Sequence, residues 1–265
     1  MRPIAAQTRT QGWLQAARAL LDADARIYNL ILEIAEPAKT SKVDSLIDKR
    51  VDEFLRAHDF HPLNTVAETI FPGSEYKLHG IKGVYDYPSA IYPYIKSESP
   101  WGTYALRLTQ RGSLVPLKLL IEKAQRQLSM QGTKYAAYEL GMGAETLELP
   151  LYIADSDHNK VIGGQCLSHI SIKLGPRPDY AVYLTALYRY QYFGQKALGN
   201  LLGLARLQAC IARELGVPIG PLVCHATLAV LEDKRLDRNV TWSREDLQRL
   251  VTECEALGNP PGLAA

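Results

Sequence analysis

The chain has almost no charge of one sign to spare. Its 30 lysines and arginines against 28 aspartates and glutamates leave a formal net charge of +2. That is too little for a protein that grips duplex nucleic acid through its phosphates, so duplex nucleic acid is not an expected partner. Long apolar runs are missing too. No stretch approaches the roughly 18 residues that suggest a membrane span, and no membrane partner is expected. The opening residues, MRPIAAQTRTQGW, hold no apolar segment of signal-peptide length, which makes the cytoplasm the expected compartment. Cysteine is scarce: Cys166, Cys210, Cys224 and Cys254 stand apart with no C-x-x-C pair. A disulfide framework and a zinc knuckle are both disfavoured, and no metal is expected. Three signatures of phosphate and metal chemistry are also absent: G-x-x-x-x-G-K-[ST], a G-x-G-x-x-G behind a strand, and H-E-x-x-H.

Phenylalanine is the last scarcity, and it points to something present. There are 4 phenylalanines but 15 tyrosines, clustered in YDYPSAIYPY (85–94) and LYRYQYF (187–193). Tyrosine joins a flat apolar face to a hydroxyl, which suits a wet cleft around a planar ligand or a partly exposed interface. With 265 residues, 47% hydrophobic and 22% charged, the chain can bury a substantial core.

Periodicity predicts helices over 13–22, 43–58, 64–71, 113–130, 200–215 and 243–257. The helix at 64 is expected to be capped by Asn64 or Thr65, and the one ending at 215 to stop at Gly216. RIYNLILEIA (26–35) reads as a buried strand. YAAYEL, LELPLYIAD, QCLSHISIKL, DYAVYLTALYRY and the run from Gly220 to Leu231 read as further strands of one sheet. Residues 73–100, rich in Gly, Pro, Ser and Tyr, are expected to be a long ordered loop. The expected fold is α/β (α+β): one domain over 1–265, a large mixed, mostly antiparallel sheet flanked by helices. Residues 1–24 form an N-terminal helical extension and 243–265 a C-terminal helix and tail.

The order of elements and certain residues of the second half resemble the thymidylate synthase superfamily, which includes pyrimidine-nucleotide hydroxymethylases. That family sets its nucleophile in P-C-H-x-x-x-Q-F. Here Gln165-Cys166-Leu167-Ser168-His169-Ile170-Ser171-Ile172 keeps the cysteine without the neighbouring proline, histidine and glutamine. The family's Y-Q-R-S and following asparagine look like Leu187-Tyr188-Arg189-Tyr190 and Asn200, with the family's spacing from arginine to asparagine. Its E-L-L-W-F glutamate corresponds to Glu68 in AETIF, and its Y-G-x-x-x-R loop to Trp101-Gly102-Thr103-Tyr104-Ala105-Leu106-Arg107. The cross-dimer arginines are represented at best by Lys134, and a sugar-binding segment aligns loosely at His225. Ala229 stands where that segment's tyrosine would be. The R-T-G-T phosphate loop is missing, since RTQG (9–12) precedes the first expected helix. NPPGLAA (259–265) does not look like a tail that closes over folate.

The resemblance implies catalytic roles for Cys166 and Glu68. It implies substrate contacts from Arg189, Asn200, Tyr190, Trp101, Tyr104, Lys134 and His225. A pyrimidine C5 becomes nucleophilic once a thiolate adds at C6. A guanidinium can both favour that thiolate and hold phosphate, a carboxylate can relay protons, and a carboxamide can read the base edge. The implied activity is methyl or hydroxymethyl transfer to C5 of a pyrimidine nucleotide by a homodimer. The implied cofactor is a tetrahydrofolate one-carbon donor, with a different donor or none left open. Each residue also has a plainer role: Cys166 as a small buried apolar group, Arg189 at an exposed strand end, Asn200 as a helix cap, Glu68 as a solvated carboxylate. Nucleotide binding without catalysis, and hydrolysis of a glycosidic bond through Glu68, stay open as alternatives.

Overall fold

The computed structural model describes residues 2–97, 102–129, 148–152, 157, 165–175 and 180–258. Seven strands form one open mixed sheet: β1 (Arg2–Ala6), β2 (Arg26–Ile34), β3 (Glu148–Pro150), β4 (Leu167–Leu174), β5 (Val182–Tyr188), β6 (Gln191–Tyr192) and β7 (Ile219–Val230). Their order is β1-β2-β7-β5-β4-β3, with β6 pairing β7 off that path. β2–β7, β4–β5 and β3–β4 are antiparallel, whereas β1–β2, β5–β7 and β6–β7 are parallel. The expected single mixed sheet with helices around it is what forms. Parallel pairings match the antiparallel ones in number among the described residues.

Alternation decides which side of the sheet is wet. On β5, Val182, Leu184, Ala186 and Tyr188 are buried, while Tyr183 and Thr185 are exposed. On β7, Leu222, Cys224 and Ala226 are buried while Val223, His225 and Thr227 are only half-buried. β2 alternates in the same way, so it is not the fully buried strand its leucines and isoleucines suggest. Helices therefore pack over one face, and among the described residues the other face has no helix on it.

Over the covered face lie α1 (Arg9–Asp22), against β1 and β2, and α9 (Ala197–Leu215), against β5 and β7. α9 is apolar nearly all round because it is the central helix, with α3 (Leu63–Ile70) on its outer side. Two glycines set that contact. A Cβ on Gly199 would meet Val66 Cβ at 2.6 Å, and one on Gly203 would meet the Ala67 carbonyl at 2.8 Å. Only glycine lets the two backbones come this close. Gly216, at φ 66°, ends α9 in the left-handed conformation that suits glycine. α2 (Lys42–Ala57) packs against α10 (Arg244–Gly258), tied by Arg50 to Glu253.

Several expectations change. Residues 73–97 are mostly helical, in α4 (Gly73–Tyr85), α5 (Tyr87–Ala90) and α6 (Tyr92–Ile95). α4 is broken at Gly80 (φ 64°), and the short pair carries proline in the first turn, where it costs a helix nothing. α3 starts at Leu63 behind Pro62 with no side-chain cap, and the Asn64 side chain accepts from Arg206 instead. The N-terminal segment is not wholly helical, because Arg2–Ala6 pairs in parallel with β2. RTQG forms the first turn of α1, where buried Arg9 bonds Asp48, Thr40 and the Lys39 carbonyl. α9 begins at Ala197, three residues before Asn200. Between α6 and α9 the described residues include α7 (Tyr104–Thr109) and α8 (Pro116–Ser129). YAAYEL lies outside the described residues.

Candidate functional site

Cys166 sits at the entrance of β4, one residue before the strand pairs with β5 through Leu167 and Tyr188. Beyond Tyr188 the chain leaves β5 and its next amide turns back: Arg189 N–H donates to the Cys166 carbonyl at 2.8 Å. The Arg189 guanidinium donates to the Gln165 carbonyl and lies 4.8 Å over the Tyr152 ring. Cysteine and arginine thus belong to one backbone unit. Tyr104 supports it from α7, its hydroxyl accepting from Cys166 N–H (3.1 Å) and Leu167 N–H (3.0 Å). Gln165 closes the corner by donating to the Gly102 carbonyl at 2.9 Å. Burial pushes the Tyr104 phenol up to about 12, so it stays a neutral acceptor.

The sulfur itself is half-buried. Burial pushes the Cys166 thiol up, and two cations, first Lys196 and then Arg189, pull it back. Among the described residues neither Arg189 nor Lys196 forms an ion pair with a carboxylate. Beneath the site, the Tyr188 hydroxyl and Gln191 Nε2 are buried without a hydrogen-bond partner among the described residues, and Gln191 Oε1 takes the Cys224 thiol at 3.6 Å. Buried polar atoms left unmade in this way are costly unless a ligand or water meets them.

The other residues singled out from the sequence divide. Asn200 lies inside α9, past its first turn, so it does not cap the helix. It is buried, and its carboxamide makes no hydrogen bond among the described residues. Tyr190 pairs with Tyr192, ring centroids 4.7 Å apart, and burial pushes its phenol up to about 12. Glu68 is engaged by Arg206 (3.1 Å) and by the amide and hydroxyl of Ser74, and makes no direct bond to Cys166. Tyr87 bonds Thr103, the neighbour of Gly102 in the chain, and burial raises its phenol. His225 is on the uncovered face, its Nε2 3.1 Å from Asn29 Oδ1, and is not brought to the thiol. Trp101 and Lys134 lie outside the described residues. Arg107 is spent on Asp157 and the Leu151 carbonyl.

Lys196 was missed by sequence reasoning, although a signal was there: it is the only charged residue between Arg189 and Arg206. Among the described residues no three of His, Cys, Asp and Glu converge to hold a metal ion, and no helix is long and apolar enough to cross a membrane. No family model matches the chain, and no curated protein matches it.

Proposed function

We propose that the chain is an enzyme that transfers a one-carbon unit, methyl or hydroxymethyl, to C5 of a pyrimidine nucleotide through a Cys166 adduct at C6. The observation that carries this reading is the closure of Cys166 and Arg189 into one hydrogen-bonded unit with the thiol only half-buried. The thiolate adds at C6, and the electron pair of the C5–C6 double bond moves toward the C4 carbonyl oxygen. C5 then attacks the one-carbon electrophile, loses its proton, and the thiolate leaves as the double bond returns. Lys196 and Arg189 favour the thiolate against its burial, and Arg189 has donors left for the phosphate. The free carboxamide of Asn200 offers a donor and an acceptor to the base edge. Glu68 would pass protons through water from its seat beside Ser74 and Arg206. The one-carbon donor supplies the electrophile. Nothing among the described residues selects a tetrahydrofolate over another donor, and the chain's own residues account only for activation of the ring. The sheet face that carries no helix among the described residues supports a homodimer, since its half-buried Leu187, Val223, His225 and Thr227 offer a mixed surface to a second copy.

The test is tritium release from C5-labelled dUMP, UMP, dCMP and CMP, with the wild type beside Cys166→Ala. Exchange should fall by about a thousandfold or more in the variant. Exchange that persists removes the thiol from the mechanism. One observation favours a second reading, nucleotide binding without carbon transfer: burial is the largest influence on the Cys166 thiol and opposes the thiolate. Binding with no exchange for any of the four nucleotides would select that reading.

A further inference from the structure

Just past β7 the chain buries a carboxyl that no cation answers. Glu232 is fully enclosed and forms no ion pair among the described residues. Its two oxygens accept instead from backbone amides of the turn before α9, Gly194 N–H at 3.1 Å and Gln195 N–H at 2.7 Å. The fit is tight. A Cβ on Gly194 would stand 3.0 Å from Glu232 Oε1 and 3.2 Å from Trp242 Cζ2, so glycine is what admits the carboxyl here. Trp242 is itself wholly buried and donates its indole N–H to the Glu232 carbonyl at 2.6 Å. Rings of Phe54, His58 and Phe60 pack around that indole, their centroids 5.2, 5.4 and 4.7 Å away. From α1 the Trp13 indole donates to the Phe193 carbonyl at 3.0 Å, so the turn is held at three successive residues. Its continuation reaches the surface: Gln195 is half-buried and Lys196 exposed. A short outward movement of the turn would wet the carboxyl.

Burial without a cation favours the neutral acid, and two amide donors favour the anion. Burial outweighs them, pushing the carboxyl up to about 7. We propose that Glu232 is a proton-operated latch on the turn that leads into α9. With its carboxyl neutral the group stays enclosed and holds Gly194 and Gln195. Once ionised it goes to water, and the turn is released. The turn lies between Arg189, whose amide closes on the Cys166 carbonyl, and Asn200, so the latch makes the chain joining these two residues sensitive to pH. It requires neither the thiol nor a nucleotide, so its failure and that of the proposed reaction are separate results.

Few charged or titratable groups face the carboxyl. Tyr190 and Tyr192, from the segment before the turn, are both raised by burial and do not titrate in the neutral range. Asp233, the next residue, is held by the Arg235 guanidinium at 2.9 and 2.7 Å. His58, just past the end of α2, packs on the Trp242 indole. Trp13, the contact from α1, carries no charge.

Hydrogen exchange read by mass spectrometry, on a peptide containing Gly194 and Gln195, tests the latch. Once the intrinsic rate at each pH is divided out, wild-type protection should fall about ten- to hundredfold between about pH 5 and about pH 8. Glu232→Gln, neutral throughout and with His58 still in place, should give a flat profile whatever its level. A flat wild-type profile overturns the proposal. So does an equal fall in Glu232→Gln, which would assign the effect to another group. Should Glu232→Gln fail to fold, infrared difference spectra of wild type with isotope-labelled glutamate carboxyls take its place. The stretch of a neutral glutamic acid should be present below about pH 7 and vanish above it, in step with the loss of protection. Absence of that band, or its loss with exchange unchanged, overturns the latch.

Discussion

Two basic turns, each leading into a helix, invite comparison. At the start of α1, Arg9 is buried and its guanidinium is matched by Asp48, while Thr8 bonds Asp44 and Thr10 bonds Asp48. Before α9, Arg189 bonds only a carbonyl and a ring face, and Lys196 bonds nothing through its side chain among the described residues. The first turn consumes its charge inside the fold and joins α1 to α2. The second leaves its charge over a half-buried thiol. The neighbours differ, threonines and glutamines around Arg9 and tyrosines around Arg189, but each turn carries one arginine and residue type alone does not say whether its charge is matched. What separates them is whether a carboxylate is in reach, and only the fold decides that.

The comparison can be broken most forcefully at Arg9. Arg9→Ala leaves Asp48, whose carboxyl burial already raises, without its cation. We expect a loss of about 3–5 kcal/mol in urea unfolding. A loss within 0.5 kcal/mol would mean that the first turn is no more structural than the second. Next in size is the pH dependence of Glu232, a fully buried carboxyl behind Trp242 that accepts from the amides of Gly194 and Gln195. Burial pushes Glu232 from its ordinary 4.5 up to about 7, so the folded chain holds this proton more tightly than the unfolded one. The stabilisation is therefore complete below the ordinary value and is lost as pH rises through about 7. Wild type should lose on the order of 3 kcal/mol relative to Glu232→Gln between those limits, measured by urea midpoints. A flat difference between the two proteins would show that the carboxyl does not titrate there.

Smaller again is Arg189→Ala. It should weaken dUMP binding by calorimetry about tenfold to a hundredfold, as loss of a charge-assisted contact does, with little change in urea midpoint. If instead it unfolds the chain and binding per folded molecule is unchanged, the two arginines are alike. The smallest effect is expected at Arg249, an exposed residue of α10 paired with Asp246. Arg249→Ala should change stability by no more than about 0.5 kcal/mol and leave binding untouched.

Much of the fold could be read from residue order. The 43–58 stripe, the strand at 26 and the helix before Gly216 all emerged where periodicity put them, within a few residues. Residues 73–97 did not, because proline and glycine mark both loops and the first turns of short helices, and composition cannot tell these apart. β1 escaped because five residues carry too little pattern to distinguish an edge strand from a helix lead-in. At the candidate site, Cys166, Arg189 and Tyr104 were singled out through the family resemblance, whereas their hydrogen-bonded contact with one another needed the fold. Glu232 was not singled out, since it opens EDKRLDR (232–238), which reads as a solvated charged run. Its burial depends on Trp242 and on a turn 38 residues earlier.

At the glycine seam between α3 and α9, Val66 and Ile70 of α3 lie directly against the backbone of α9. A side chain added at either glycine would have to push the two helices apart, so the flank of α9 that carries Asn200's turn is fixed against α3. Tyr104, by contrast, meets the Cys166 and Leu167 amides from a helix of only six residues, so the two supports of this region differ in stiffness.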